Sequence, residues 1–203
     1  YKWNPTSINT NGGQGNWQGA SGDDMELGMG YIVRSPDSFP TADPGSTWEG
    51  LFVGKPLNGK IDISVSRGTD QNTALHYGLN GTEINNFSDN WNLIGNPYPS
   101  SIDLNQFLGT NSAAIEGAAY FWSQETPPEG GQFSGTDYIP FNATGSVSSS
   151  SDTNRAVNGF APSGQSFFIA SKTAGNATFT NAMRMADATS NNQFFKNSNS
   201  VPK

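Results

Sequence analysis

His76 is the single histidine of the chain, and cysteine is absent. A Ser-His-Asp triad would have to use His76. That residue lies in "ALHYGLNG" (74–81), which reads as a hairpin arm, and no G-x-S-x-G elbow accompanies it. Without cysteine there is no thiolate nucleophile, no disulfide framework and no Cys-ligated metal. One histidine cannot build a His-rich metal site. Carboxylates remain, and a pair of them can run glycoside hydrolysis. The candidates are Asp23, Asp24, Glu26, Glu49, Asp103, Glu116, Glu125 and Glu129. Most fall in polar loops or on a helix surface, where water is their expected partner. No catalytic residue is assigned, and enzyme activity is not expected.

The densest acidic group is "SGDDMELG" (21–28), a glycine-bounded loop holding Asp23, Asp24 and Glu26. All-oxygen clusters suit Ca²⁺, so these three are the candidate calcium ligands. Their spacing is neither that of an EF-hand nor that of a nonapeptide repeat, and a solvated acidic turn is the competing reading. Trp3, Trp17, Trp48, Trp91 and Trp122, with Tyr98 and Tyr120, could instead form an aromatic platform for a sugar or another apolar-faced ligand. Core packing claims Trp91 and Trp122 and competes for Trp48. Trp17, in "GQGNWQGASG" (13–22), has only loop neighbours. Trp17, Trp48 and Tyr98 are the candidate ligand-binding residues. The sequons at Asn80, Asn86, Asn142 and Asn176 are what an Asn-, Ser- and Thr-rich chain produces by chance.

The elements that must hold these residues are short strands. Apolar-aromatic runs bounded by Gly, Pro, Asn or Asp recur along the chain: "GYIVRS" (30–35), "WEGLFVG" (48–54), "KIDISVS" (60–66) and "WNLIG" (91–95). They continue with "AAYFWS" (118–123), "DYIPFN" (137–142), "SFFIAS" (166–171), "ATFTNAM" (177–183) and "QFFK" (193–196). "KIDISVS" alternates, with Ile61, Ile63 and Val65 on one face and Asp62, Ser64 and Ser66 on the other. "LNGK" (57–60) and "LNGT" (79–82) carry the Asn-Gly hairpin signal. Many short strands at this spacing predict an all-β fold, a jelly-roll-like β-sandwich. "GMGYIV" (28–33) resembles "GQSFFI" (164–169), and "YKW" (1–3) resembles "YFW" (120–122). These matches predict two weakly repeated halves, 1–88 and 89–196, within a single module over 1–196. Residues 197–203 read as the start of a linker or tail.

"DNWNLIGNPYPSSIDLNQFLG" (89–109) reads as scaffold. "WNLIG" is a buried strand, and Asn96-Pro97 stops it because Pro97 cannot donate to a ladder. Ser100 followed by Asp103 resembles a capping box, and Leu104, Phe107 and Leu108 share a helix face. One short helix is predicted near 101–108, with Gly109 as its left-handed terminator.

Composition narrows the class. Charged residues make up 13% of the chain, about half the usual share, while aromatics reach 12%, which supports a folded core. The formal net charge is −7 without a basic run, which disfavours nucleic acid and anionic membranes. No apolar run approaches the roughly 20 residues of a membrane span. The chain begins at Tyr1 without a signal peptide, as expected of a processed product or an excised piece of something longer.

"NWNLIGNPYPSSID", "GYIVRSP", "PSGQSFFIAS" and "FTNAMRM…NNQFFK" together resemble a β-rich module of large secreted and cell-surface proteins of the Bacteroidota, which leave the cell by type IX secretion. Residues from about 28 to 195 follow that module's order of motifs. The tryptophan-containing strand that often precedes it and the C-terminal sorting domain do not occur here. The resemblance implies a secreted, extracellular or cell-surface location and a β-rich architecture. It carries no activity over to any residue. The expected function is a non-catalytic structural or adhesion module of a larger protein, assembling through β-edges with other domains of the same polypeptide or with neighbouring copies. A carbohydrate-binding module of a polysaccharide-degrading enzyme is the alternative, and a loop-carboxylate glycoside hydrolase the third. An unpaired sheet edge, completed by an N-terminal extension or a neighbour, is the structural expectation of the first reading.

Overall fold

The computed structural model of the chain describes residues 1–6, 17–33, 51, 53–68, 75–77, 83–85, 90–122, 138–146, 157–187 and 189–191. In chain order the strands are β1 (Lys2–Trp3), β2 (Trp17–Gln18), β3 (Ile61–Val65), β4 (Leu75–Tyr77), β5 (Glu83–Asn85), β6 (Trp91–Gly95) and β7 (Ile102–Asp103). The helix α1 (Leu104–Thr110) follows. Then come β8 (Ile115–Trp122), β9 (Tyr138–Asn142), β10 (Gly145–Ser146), β11 (Phe160–Ala161), β12 (Ser166–Ser171) and β13 (Gly175–Phe179). All pairings are antiparallel, and the fold is an all-β, sandwich-like arrangement with one helix. No helix among the described residues is long and apolar enough to cross a membrane.

One layer is a five-stranded sheet in the order β10-β9-β8-β12-β6. Its strand β12, between β8 and β6, alternates as the pleat demands. Phe167 and Ile169 face inward with Ala119 and Phe121 of β8, Ile139 and Phe141 of β9, and Ile94 of β6. The second layer is the β3–β13 ribbon plus α1. Ile61, Ile63 and Val65 are buried between exposed Asp62 and Ser64, as the alternation in "KIDISVS" predicts. Phe107 of α1 joins the layers: its ring lies 4.7 Å from Phe179 and 5.6 Å from Phe167.

The five-stranded sheet is drawn entirely from residues 91–171, whereas 1–88 supply the β1–β2 ribbon, β3 and the β4–β5 hairpin. The described strands of the two repeat-like stretches are therefore not arranged alike. "LNGT" lies between β4 and β5, whose register (Leu75 opposite Asn85) makes the expected hairpin. "LNGK" makes no ladder hairpin among the described residues. Gly59, at φ +86°, instead donates its N–H to Asn181 Oδ1 and accepts from the Tyr98 hydroxyl. In "GYIVRS", Tyr31 forms only a single bridge to Lys2, and the preceding Met29 bridges Ile94.

The helix is correctly expected but begins later than its cap signal suggests. Asp103 is the N-cap, accepting from the N–H groups of Asn105 (2.8 Å) and Gln106 (3.2 Å), because Ile102 and Asp103 are already held in the β7–β11 pairing. Gly109 lies inside the helix, and Asn111 closes it at φ −100°. Ser101, expected near the cap, is fully buried and hydrogen-bonds the Ser190 hydroxyl. Asn96 and Tyr98 of the proline turn are also structural. Asn96 Oδ1 accepts from the Tyr98 N–H, and Asn96 Nδ2 donates to the carbonyls of Ser100, Ala161 and Pro162.

Candidate functional site

The outer face of the five-stranded sheet is aromatic as well as the inner one. Register places Leu93, Phe168, Tyr120 and Pro140 in one row across β6, β12, β8 and β9. Two residues along β8 from Tyr120, Trp122 stands opposite Tyr138, and their rings meet edge to face at 4.9 Å. Trp91 meets Tyr120 the same way at 5.0 Å. Phe168 is the centre of the group, with the rings of Trp3, Trp17, Tyr138 and Trp91 between 5.2 and 6.5 Å away. Edge-to-face contacts of this kind add about 0.5–1.5 kcal/mol per pair beyond the area they bury. Burial pushes the Tyr138 hydroxyl pKa up to about 12.

The N-terminal ribbon covers one end of this face. Trp3 and Trp17 are cross-strand partners in β1 and β2, and the Trp3 indole N–H donates to the Trp91 carbonyl at 2.8 Å. Residues 28–33 run on from the ribbon along the edge of β6, with Gly30 N–H bonded to Leu93 O and Gly95 N–H to Gly28 O. Glycine is required at both places. A Cβ at Gly28, where φ is +69°, would run into the Ile63 side chain, and one at Gly30 would strike Leu93.

Between the 31–33 segment and the sheet lies a cleft of about 280 Å³. It is lined by Leu93 of β6, Tyr120 and Trp122 of β8, Ser166, Phe167 and Phe168 of β12, the preceding Gly164-Gln165, and Tyr31, Ile32 and Val33. Tyr120 and Trp122 are half-buried, so part of each ring faces the cleft. The Ser166 hydroxyl accepts from the Tyr31 N–H at 3.2 Å, and the Tyr31 hydroxyl accepts from the Glu26 N–H at 2.8 Å. Among the described residues that line the cleft, none is Asp, Glu, Lys, Arg or His.

The sequence-derived candidates distribute unevenly around this cleft. Trp17 is not a free loop residue: it is half-buried in the ribbon, 5.0 Å from Trp3 and 5.9 Å from Phe168, and so supports the aromatic face without lining the cleft. Tyr98 is withdrawn from the surface altogether. It is 1% exposed, donates to Gly59 O at 2.5 Å, and packs against Phe179 beneath the Arg184 guanidinium. Burial raises its pKa, partly offset by Arg184. Trp48 lies outside the described residues, as do Glu49, Glu125 and Glu129.

Asp23, Asp24 and Glu26 are exposed. Asp23 and Glu26 face the Lys2 ammonium at 3.2 and 3.5 Å, and Asp23 foremost holds the Lys2 pKa above its ordinary value. Among the described residues no three Asp, Glu, His or Cys gather as a metal cluster. The acidic loop is an ion-paired turn that fastens to β1. Asp103 serves as the helix cap and Glu116 is exposed on β8.

Tyr31 and Gln165 are absent from the sequence-derived candidates for this cleft, and Tyr120 and Trp122 were named for an aromatic platform without being chosen. The signal for two of them was present: in "AAYFWS", strand alternation puts Tyr120 and Trp122 on the face opposite Phe121. Assigning Trp122 to the core overlooked that the sheet carries aromatics on both faces.

Fold and cleft together define an all-β, sandwich-like protein with an aromatic cleft on its outer sheet face. The chain belongs to the family described as "Domain of unknown function (DUF8693)", which it matches over residues 1–203. No curated protein and no solved structure matches the chain.

Proposed function

We propose that this chain is a non-catalytic structural and adhesion module of a larger secreted or cell-surface protein, and that the outer-face cleft is its adhesive site. The cleft carries the reading. Its aromatic pair, Tyr120 and Trp122, rests on a five-stranded sheet, which holds both in fixed positions. Its described lining residues offer no carboxylate, imidazole or ammonium for proton transfer, so it suits holding a partner more than transforming one. The resemblance to secreted Bacteroidota modules supports the location.

The test is retention on beads carrying the chain, probed with polysaccharides and matrix proteins. Retention should be lost in Tyr120→Ala/Trp122→Ala while the circular-dichroism spectrum stays that of a folded chain. Retention by the double variant at the parent level, or breakdown of a retained polymer, would sink the proposal.

One observation favours assembly through a sheet edge as a second reading. Asn111 occupies the outer edge of β13, bonding both the N–H (2.7 Å) and the carbonyl (2.9 Å) of Thr178. Asn92 does the same to Ser66, just beyond β3. Because Thr178 points away from β3, its partner Asp62 points away from β13, and so does Ser64. Their backbone groups have no partner among the described residues. A strand from a neighbouring copy or domain would fit there. Light scattering of Ser64→Pro against the parent checks this: the substitution removes a ladder donor and should lower the assembled mass, and an unchanged mass distribution counts against assembly at β3.

A further inference from the structure

We infer that the outer-face cleft binds a neutral polysaccharide, taking one or two uncharged pyranose or furanose rings of the chain. This rests on the adhesion reading and narrows it to a ligand class. Three features of the cleft select that chemistry.

The first is the aromatic pair. Tyr120 and Trp122 stand at i and i+2 on one strand face, about 6.6–7 Å apart along β8. Each is braced edge to face by a ring from a neighbouring strand, Trp91 behind Tyr120 and Tyr138 behind Trp122. Bracing fixes the rings before a ligand arrives, so little side-chain freedom is lost on binding. A sugar ring presents an apolar C–H face that such an aromatic surface accepts.

The second is the set of polar groups. Gln165 Nε2 is tied to the Ser166 carbonyl at 2.8 Å, which turns the amide so that Oε1 has no partner among the described residues. The Ser166 hydroxyl accepts from Tyr31 N–H and keeps its own proton to donate. The Tyr120 hydroxyl also lacks a partner among the described residues. These are neutral donors and acceptors among the residues lining one cavity, and they match vicinal hydroxyl groups.

The third is charge. Among the described lining residues there is no cation with which to hold a uronate or sulfate. Lys2, whose backbone bridges Tyr31, directs its ammonium to Asp23 and Glu26. A net charge of −7 further repels an anionic chain. The volume, about 280 Å³, is at the lower end for small-ligand pockets, which suits one or two rings of a longer polymer that continues into solvent.

Amide chemical-shift titration with two panels tests the inference. One panel holds neutral gluco-, xylo- and manno-oligosaccharides; the other holds oligogalacturonate and heparin fragments. A neutral oligosaccharide should shift the signals of 31–33, 120–122 and 164–166, with an affinity unchanged between about 50 and about 500 mM NaCl. Tyr120→Ala should weaken it about tenfold. The variant Gln165→Ala should weaken it too, and guards against misfolding of the sheet variant. Binding by the anionic panel only, weakening with salt, overturns the ligand class while the adhesion reading survives. Shifts confined to residues outside the cleft, or none with any sugar, overturn it as well; bead retention of matrix proteins then decides the broader reading separately.

Discussion

Asn92, Asn96 and Asn111 are between 4% and 6% exposed, and each commits its side-chain amide to the main chain of another segment. An amide supplies two donors and an acceptor without the desolvation cost of a charge. It suits a chain with few charged residues. Asn96 alone satisfies three carbonyls and one N–H, so Asn96→Ala strands several buried groups and should cost about 3 kcal/mol, read from the shift of a urea midpoint. A loss under about 1 kcal/mol would mean water replaces the amide. Tyr98→Phe, which removes only the bond to Gly59 O, should cost about 1 kcal/mol by the same measurement. Tyr138 gives a pH test. Its pKa is raised in the folded chain, so the folded state holds the proton more tightly than the unfolded one. The resulting stability is complete below the ordinary tyrosine pKa of 10.0 and is lost as pH rises towards about 12. Tyr138→Phe should flatten that alkaline decline in the denaturation midpoint; an unaltered decline would assign it to other groups.

Elements here are short, and their ends are fixed by side chains more than by ladder length. The seven-residue α1 depends on Asp103, whose carboxylate takes two of the free N–H groups of its first turn. Asp103→Ala should lower stability by about 1 kcal/mol and Asp103→Asn by less, as measured by thermal unfolding. The 28–33 segment depends on Gly28 and Gly30 to lie close against Ile63 and β6. Gly28→Ala should cost at least about 2 kcal/mol, from positive-φ strain plus overpacking, and should raise amide exchange along 29–33. Retained protection there would show that the segment is held by its backbone bonds alone. Since Tyr31 and Val33 line the cleft, the same substitution couples stability to ligand affinity.

At the scale of the whole molecule, 17 acidic residues face 10 basic ones. The ion pairs found among the described residues, Lys2 with Asp23 and Glu26 and Lys60 with Asp62, lie on the surface. Such pairs are worth little, while like-charge repulsion is greatest in the compact state. Raising NaCl from about 10 to about 150 mM should therefore raise the thermal midpoint by a few degrees. A fall on adding salt would mean that the ion pairs outweigh the repulsion. Two apolar sheet faces meet different fates in this architecture. The inner face is covered by β3, β13 and α1. Among the described residues the outer face is covered in part, by the β1–β2 ribbon and residues 28–33, and the cleft lies beside that cover.

Local sequence was enough for the strands whose alternation or apolar run is unbroken, such as "KIDISVS" and "SFFIAS", because the side-chain period of a strand depends on backbone geometry alone. It was enough for the β-sandwich class, for the "LNGT" hairpin and for a helix after "NPYPSS". It could not place Tyr98, because the turn residue is buried only once Gly59, 39 positions away, comes beneath its hydroxyl. It could not place Trp17 either, since a tryptophan among glycines and polar residues reads as exposed until Trp3 and Phe168 arrive from distant strands. The ion pairs of the acidic loop were not legible either, since Lys2 reaches Asp23 and Glu26 across 21 and 24 positions. Strand period and turn chemistry are local properties and survive in the sequence; which aromatic is covered, which carboxylate is neutralised and where a cleft remains depend on contacts between segments far apart, and only the tertiary structure decides those.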